Sequence, residues 1–149
     1  MTVTRRQARE WAIQMLTAMD LNPPDEGEDF LGPCWDEIAT LEDVSAKAPA
    51  RYRRFTEERV LGVRAHLPEI DAQIESHLAN WKLDRLGTVE RAVLRLGVWE
   101  LQYTDVPPAV VINEAVDLVN WFSTPASRAF VNGVLDRIAH EKKEKGDVQ

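Results

Sequence analysis

The sequence holds one cysteine, Cys34, in 149 residues. A single thiol excludes an internal disulfide framework and a thiolate metal cage. Long apolar runs are missing, which excludes a membrane-spanning helix. The opening Met1-Thr2-Val3-Thr4-Arg5-Arg6 lacks the apolar stretch of a secretory signal. These absences lead us to expect a cytoplasmic protein. Neither a G-x-G-x-x-G nor a G-x-x-x-x-G-K-[ST] run occurs, so no phosphate-cradling loop is expected. His66, His77 and His140 lie far apart with no H-E-x-x-H, and each reads as a surface or capping residue. No metal or cofactor is expected. Basic residues are also in deficit: 18 Lys and Arg stand against 25 Asp and Glu, a net charge of −7. As a bulk value this argues against nucleic acid, because phosphate contacts need Lys and Arg.

The layout of charge changes that inference. Arg5, Arg6 and Arg9 come before any acid. From Glu10 to Ala46 there are ten acids and no Lys or Arg. A second basic cluster follows, with Lys47, Arg51, Arg53, Arg54, Arg59 and Arg64. Outside the acidic stretch, 15 acids face all 18 bases, a local excess of +3. At a Debye length of about 8 Å in physiological salt, a phosphate feels its local patch more than the bulk charge.

What is present is helical periodicity, and the 44% apolar content suits a packed core. The fold class expected is all-α, a compact single-domain bundle of about seven helices over residues 1–149. The first helix should run from Thr4, its N-cap, to about Asp20, with Ala8, Trp11, Ala12, Met15 and Met19 inward. Asn22-Pro23-Pro24-Asp25-Glu26-Gly27 breaks it, and an acidic loop is expected over about 21–46, continuing through Gly32-Pro33. Trp35, Ile38, Ala39 and Leu41 suggest a short second helix within it, and Ser45–Pro49 a second break. The third helix covers Ala50–Ala65, with Phe55, Val60 and Val63 inward. Leu67-Pro68 opens a fourth, with Ile70, Ile74 and Leu78 on one side. Trp81 to Gly87 reads as a connector. The fifth helix, Thr88–Tyr103, is apolar on most sides and should be central. Gly97 within it costs about 1 kcal/mol of helix propensity against Ala, so a close helix neighbour is expected there. Pro107-Pro108 and Ser123-Thr124-Pro125 open the sixth and seventh helices, and residues 141–149 should fray.

No catalytic set emerges. Cys34 sits among acids, which raises a thiol pKa and so disfavours the nucleophilic thiolate. Glu57-Glu58 and Asp25-Glu26 are adjacent carboxylates; on a helix neighbours point about 100° apart, and solvation explains both pairs. The chain reads as a binding protein. Arg5, Arg6 and Arg9 fall within about 100° of one another on a helical wheel. They occupy a first helical turn, where the helix dipole already favours anions. They also fit a solvated basic terminus that contacts nothing. Arg51, Arg53 and Arg54 fit simple pairing with the acidic segment. An exposed aromatic would favour RNA, since single-stranded bases stack on such rings; Phe130, Trp121 and Tyr103 are the candidates.

Four stretches carry a family likeness. They are Arg5-Arg6-Gln7-Ala8-Arg9-Glu10-Trp11-Ala12; Trp81-Lys82-Leu83-Asp84-Arg85-Leu86 with Val89-Glu90-Arg91-Ala92-Val93-Leu94-Arg95-Leu96-Gly97 and Glu100-Leu101; Val106-Pro107 with Val111-Ile112-Asn113-Glu114-Ala115-Val116; and Phe130-Val131-Asn132-Gly133-Val134-Leu135-Asp136. Together the chain resembles the NusB family of bacterial transcription antitermination factors, over almost its whole length. The resemblance implies an all-helical fold without catalysis. It implies binding to single-stranded boxA RNA of nascent rRNA-operon transcripts, with the ribosomal protein NusE as partner, within an RNA polymerase antitermination complex. It maps RNA contact onto Arg5, Arg6, Arg9, Arg128 and Phe130, the last as a base-stacking ring, and partner contact onto Glu90 and Arg95.

Structural readings stand beside these. Phe130 also fits the core, four residues before Val134 and eight before Ile138. Glu90 also fits neutralisation of its helix's first turn. Asn113-Glu114 and Asn132-Gly133 suit hydrogen bonding between helices. The chain departs from the family at Gln7, where many relatives have arginine, and at Thr17, a position often aromatic; the acidic stretch matches nothing in the pattern. Two other functions compete: a helical protein–protein scaffold, and a detached relative of the helical domain found in rRNA cytosine methyltransferases. A homodimer that buries the arginine face is compatible with the sequence.

Overall fold

A computed structural model of the chain describes residues 3–42, 49–79, 82–122 and 125–148. Among these, seven α-helices and one 3₁₀ turn form the regular structure: α1 (Arg5–Leu21), α2 (Leu31–Glu42), α3 (Ala50–Ala65), α4 (Leu67–Glu75), the 3₁₀ turn Leu83–Arg85, α5 (Thr88–Tyr103), α6 (Pro108–Phe122) and α7 (Pro125–Val148). The expected bounds of α3 and α5 agree residue for residue. The chain divides into two compact units, residues 1–61 and 62–149.

In the first unit, Thr4 caps α1: its hydroxyl accepts the Gln7 N–H at 3.1 Å. Trp11, Ala12, Met15 and Leu16 are buried on α1. Trp35 of α2 meets Trp11 edge-to-face at 5.5 Å between centroids, and its indole N–H donates to Glu57 on α3 at 2.8 Å. The Thr56 hydroxyl donates to the Ala8 carbonyl at 2.9 Å, which fixes α3 beside the start of α1. One expectation is corrected here. Gly32 and Pro33 belong to the first turn of α2 rather than to the acidic loop, because the Asp29 carboxylate accepts the Gly32 N–H at 3.2 Å and Pro is tolerated in a first turn. The segment between α1 and α2 is therefore only residues 22–30, turning at Gly27 with φ +83°. The expected break over Ser45–Pro49, Trp81 of the connector and the Ser123-Thr124 cap lie wholly or partly outside the described residues.

In the second unit, Ala92 to Leu101 of α5 are all buried, which makes α5 the central helix. It packs against α4, α6 and α7, and α6 and α7 pack on each other. Gly97 explains itself: a Cβ there would lie 2.9 Å from a Leu135 methyl of α7. Gly62 is tighter, with a Cβ falling 2.2 Å from the Trp99 ring. Arg95 and Asp71 tie α5 to α4 through two hydrogen bonds, at 2.9 and 3.0 Å. α7 stays helical to Val148, through the tail expected to fray. Two bonds anchor the start of that stretch: His77 to Glu141 at 2.8 Å, and Lys142 donating to the Leu101 carbonyl. Among the described residues, no helix is long and apolar enough to cross a membrane.

Candidate nucleic-acid interface

Thr4 sets the phase of α1, and the phase sets where its arginines point. Arg5 is exposed, Arg6 is half-buried and Arg9 is only 4% exposed. Burial of Arg9 follows from its spacing: it stands one residue from Ala8 and three from Ala12, inside the apolar stripe. Its charge is accommodated on an aromatic face. The guanidinium of Arg9 lies 5.2 Å from the Phe55 ring centroid, that of Arg5 at 5.9 Å and that of Arg59 at 3.5 Å. Each distance falls within the range where a ring quadrupole attracts a cation. Arg59 also donates to the Phe55 carbonyl at 3.4 Å.

The second basic cluster uses rings as well. Arg51 lies over Tyr52 at 4.8 Å and Arg53 over Trp35 at 5.0 Å. Arg51 and Arg54 are exposed. Among the described side chains, none of Arg5, Arg51, Arg53 and Arg54 takes part in an ion pair; the side chains of Glu42 and Asp43 in the acidic segment lie outside that set. The sequence treats Arg5–Arg9 and Arg51–Arg59 as two clusters. The structure brings Arg5 and Arg9 of the first together with Arg59 of the second at Phe55, a residue read from sequence only as inward. The available signal was spacing: Arg59 stands four residues after Phe55, on the same face of α3.

The remaining candidates belong to the second unit. Phe130 is half-buried on the first turns of α7, at the edge of the stripe made by Val134 and Ile138, so its ring has both a packed and an accessible side. Arg128 is exposed; two residues from Phe130, it points about 160° away. Glu90 stands at the third position of α5 and folds back over its N-cap, Gly87: a Cβ at Gly87 would meet its carboxylate at 2.2 Å. The other carboxylate oxygen accepts the Ser127 hydroxyl at 3.0 Å, joining the starts of α5 and α7. Arg95 is 7% exposed and committed to Asp71, so it acts from inside the unit. Ser127, Gly87 and Asp71 were not singled out by sequence; only the Glu-at-N3 pattern hinted at the first two.

Tyr103 is 46% exposed and stacks on His66 at 4.3 Å. The side chain of Trp121 lies outside the described residues. Burial pushes the Cys34 thiol up from its ordinary pKa, and the Glu37 and Asp29 carboxylates add to it, so the thiolate is disfavoured. Among the described residues no three His, Cys, Asp or Glu side chains group to hold a metal ion.

Comparison with known proteins gives these arrangements a context. Residues 6–140 match the model of the NusB family. The transcription antitermination protein NusB of a Nitratiruptor species is 45% identical over 140 residues, 94% of each chain. That of Myxococcus xanthus is 43% identical over 136 residues, 91% of this chain and 94% of its own. Among solved structures, T. maritima NusB superposes with a TM-score of 0.78 at 32% identity, covering 95% of this chain and 94% of that one. A crystal structure of antitermination factors NusB and NusE in complex with dsRNA matches with a TM-score of 0.76 at 34% identity, covering 92% and 96%.

Proposed function

The chain belongs to the NusB family, and from that premise we propose that it is an RNA-binding antitermination factor rather than an enzyme. With NusE it binds the single-stranded boxA element of nascent rRNA-operon transcripts and joins the antitermination complex on RNA polymerase, in the cytoplasm. The observation that carries the RNA half is the start of α1. There an exposed Arg5 and a half-buried Arg6 stand in a first turn that contains no acid, at the positive end of a 17-residue helix. Arg9 supports them through Phe55. Phe130 offers its accessible side to a base, and Arg128 adds a backbone contact. Glu90 is the partner contact, and Arg95 holds α5 behind it by way of Asp71.

The experiment is a salt-series titration of boxA-like RNA, with and without NusE. We expect tighter binding with NusE and affinity that falls as salt rises, by about 0.7 in log–log slope for each phosphate contacted on a single strand. Arg5→Glu with Arg6→Glu should weaken binding by about tenfold or more and flatten that slope. Equal binding to any RNA of the same length, indifferent to NusE, overturns the reading. The NusB–NusE neighbour was solved with dsRNA. A duplex of the same sequence is therefore the second ligand to titrate, and preference for it would move the site from single-stranded to duplex RNA.

A further inference from the structure

We propose that α3 supplies a second strip of the RNA-binding surface, with Arg51 and Arg54 as phosphate contacts and Phe55 as the residue that joins the strip to the start of α1. The inference deepens the reading above and rests on it.

Three observations lead to it. First, the two helices are fixed in register: the Thr56 hydroxyl donates to the Ala8 carbonyl at 2.9 Å, so Phe55 lies beside the first turns of α1. Second, Phe55 gathers arginines from both helices, with Arg5 and Arg9 of α1 and Arg59 of α3 within 5.9 Å of its centroid. Cations converge on one site only where something offsets their repulsion. The Phe55 ring face does part of this, and Arg9 and Arg59 have further interactions besides. Third, Arg51 stands one turn before Phe55 and about 40° from it around the helix, with Arg54 about 60° further round. Both are exposed, and neither is in an ion pair among the described side chains. Their charge is thus open to a phosphate.

RNA is favoured over an acidic protein segment by continuity. Arg5, the exposed arginine assigned to RNA on α1, touches the same ring that α3 presents. A backbone that neutralises Arg5 passes within reach of the α3 strip. Phe55 is a positioning residue, since its face is occupied by Arg59 at 3.5 Å and not offered to a base.

The test uses the full chain with NusE and a boxA-like RNA, in a salt series. Arg51→Gln with Arg54→Gln should lower affinity by about tenfold and reduce the salt slope by about 1.4, two contacts at roughly 0.7 each. Phe55→Leu keeps an apolar side chain but removes the quadrupole, and should lower affinity about threefold; Phe55→Tyr, which keeps the ring, should restore it. Should Phe55→Leu fail to fold, the exposed pair still decides the matter. An unchanged slope in the Arg51/Arg54 variant, while Arg5→Glu with Arg6→Glu loses RNA, overturns this inference and leaves the function standing. Loss of NusE binding with RNA binding intact makes the strip a protein contact and overturns it too. If the Arg5/Arg6 variant also binds normally, the functional reading itself is wrong.

Discussion

Several arginines of the two units are held in contrasting ways. In residues 1–61 the guanidinium groups of Arg5, Arg51 and Arg53 rest on the rings of Phe55, Tyr52 and Trp35. In residues 62–149 two guanidinium groups point at oxygen: that of Arg95 at both carboxylate oxygens of Asp71, and that of Arg91 at the Leu86 carbonyl, 2.7 Å away. A ring orients a cation without cancelling its charge, because the quadrupole leaves the guanidinium N–H edge free to donate. A carboxylate cancels the charge and fills the donors. The first arrangement keeps positive potential available to a ligand; the second converts it into rigidity.

The contrast is open to attack at its strongest point, Arg95. If this arginine is structural, Arg95→Ala should destabilise the protein by about 3 kcal/mol, the lower end of the range for breaking a buried pair, because Asp71 is 24% exposed and can partly rehydrate. Urea denaturation measures it. A loss below about 0.5 kcal/mol, the usual scale of a surface substitution, would place Arg95 with the ring-held arginines instead. Next in size is Gly62→Ala. The ring of Trp99, 5% exposed, must shift to admit a methyl group, which costs about 2 kcal/mol by the usual scale of overpacking. The same denaturation curves report it, and a neutral result would mean that the second unit is less tightly determined than its distances say.

How far the sequence displayed this contrast depends on the range of the interactions. Helices α3 and α5 were legible to the residue, because Pro and Gly punctuate the periodic apolar runs that form them. The start of α2 was not, since it is set by the Asp29 side chain, and acids there read equally as loop. Gly97 was legible as a close approach, though not its neighbour Leu135, 38 residues on. The candidate site was legible in residue type and opaque in arrangement. Arg5, Arg6 and Arg9 stood out, but whether each faced water or a ring depends on α3 lying against α1 through Thr56 and Ala8, 48 residues apart. Arg95 read as an interface residue, and its bonds to Asp71, 24 residues away on another helix, had no local signal. Local pattern reveals what a residue could do; long-range pairing decides which of those roles it takes.

Smaller effects sharpen the comparison. Gly97→Ala sets two opposing quantities against each other. Ala gains about 1 kcal/mol of helix propensity over Gly. The added methyl meets the two terminal methyls of Leu135 at 2.9 and 3.0 Å, ends of a side chain that can rotate but that is buried. The expected net is a destabilisation of about 1 kcal/mol, half that at Gly62, because a leucine methyl yields more readily than an indole ring. Thermal melts of the two alanine variants, run side by side, rank them.

The finest test concerns Arg53, which lies over Trp35 while that indole donates to Glu57. Arg53→Gln removes the cation and leaves the Trp35–Glu57 bond and the Trp11–Trp35 contact intact. A half-exposed cation–π contact contributes about 0.5 kcal/mol, so stability should fall by no more than that. The replacement also removes one positive charge that is in no ion pair among the described side chains. If ring-held arginines serve a ligand, RNA affinity should respond while the melting curve barely moves, the reverse of the outcome expected for Arg95→Ala. If Arg53→Gln instead costs stability on the scale of Arg95→Ala and leaves RNA binding untouched, then a ring in this unit locks a guanidinium as firmly as a carboxylate does in the other, and the distinction between the units fails.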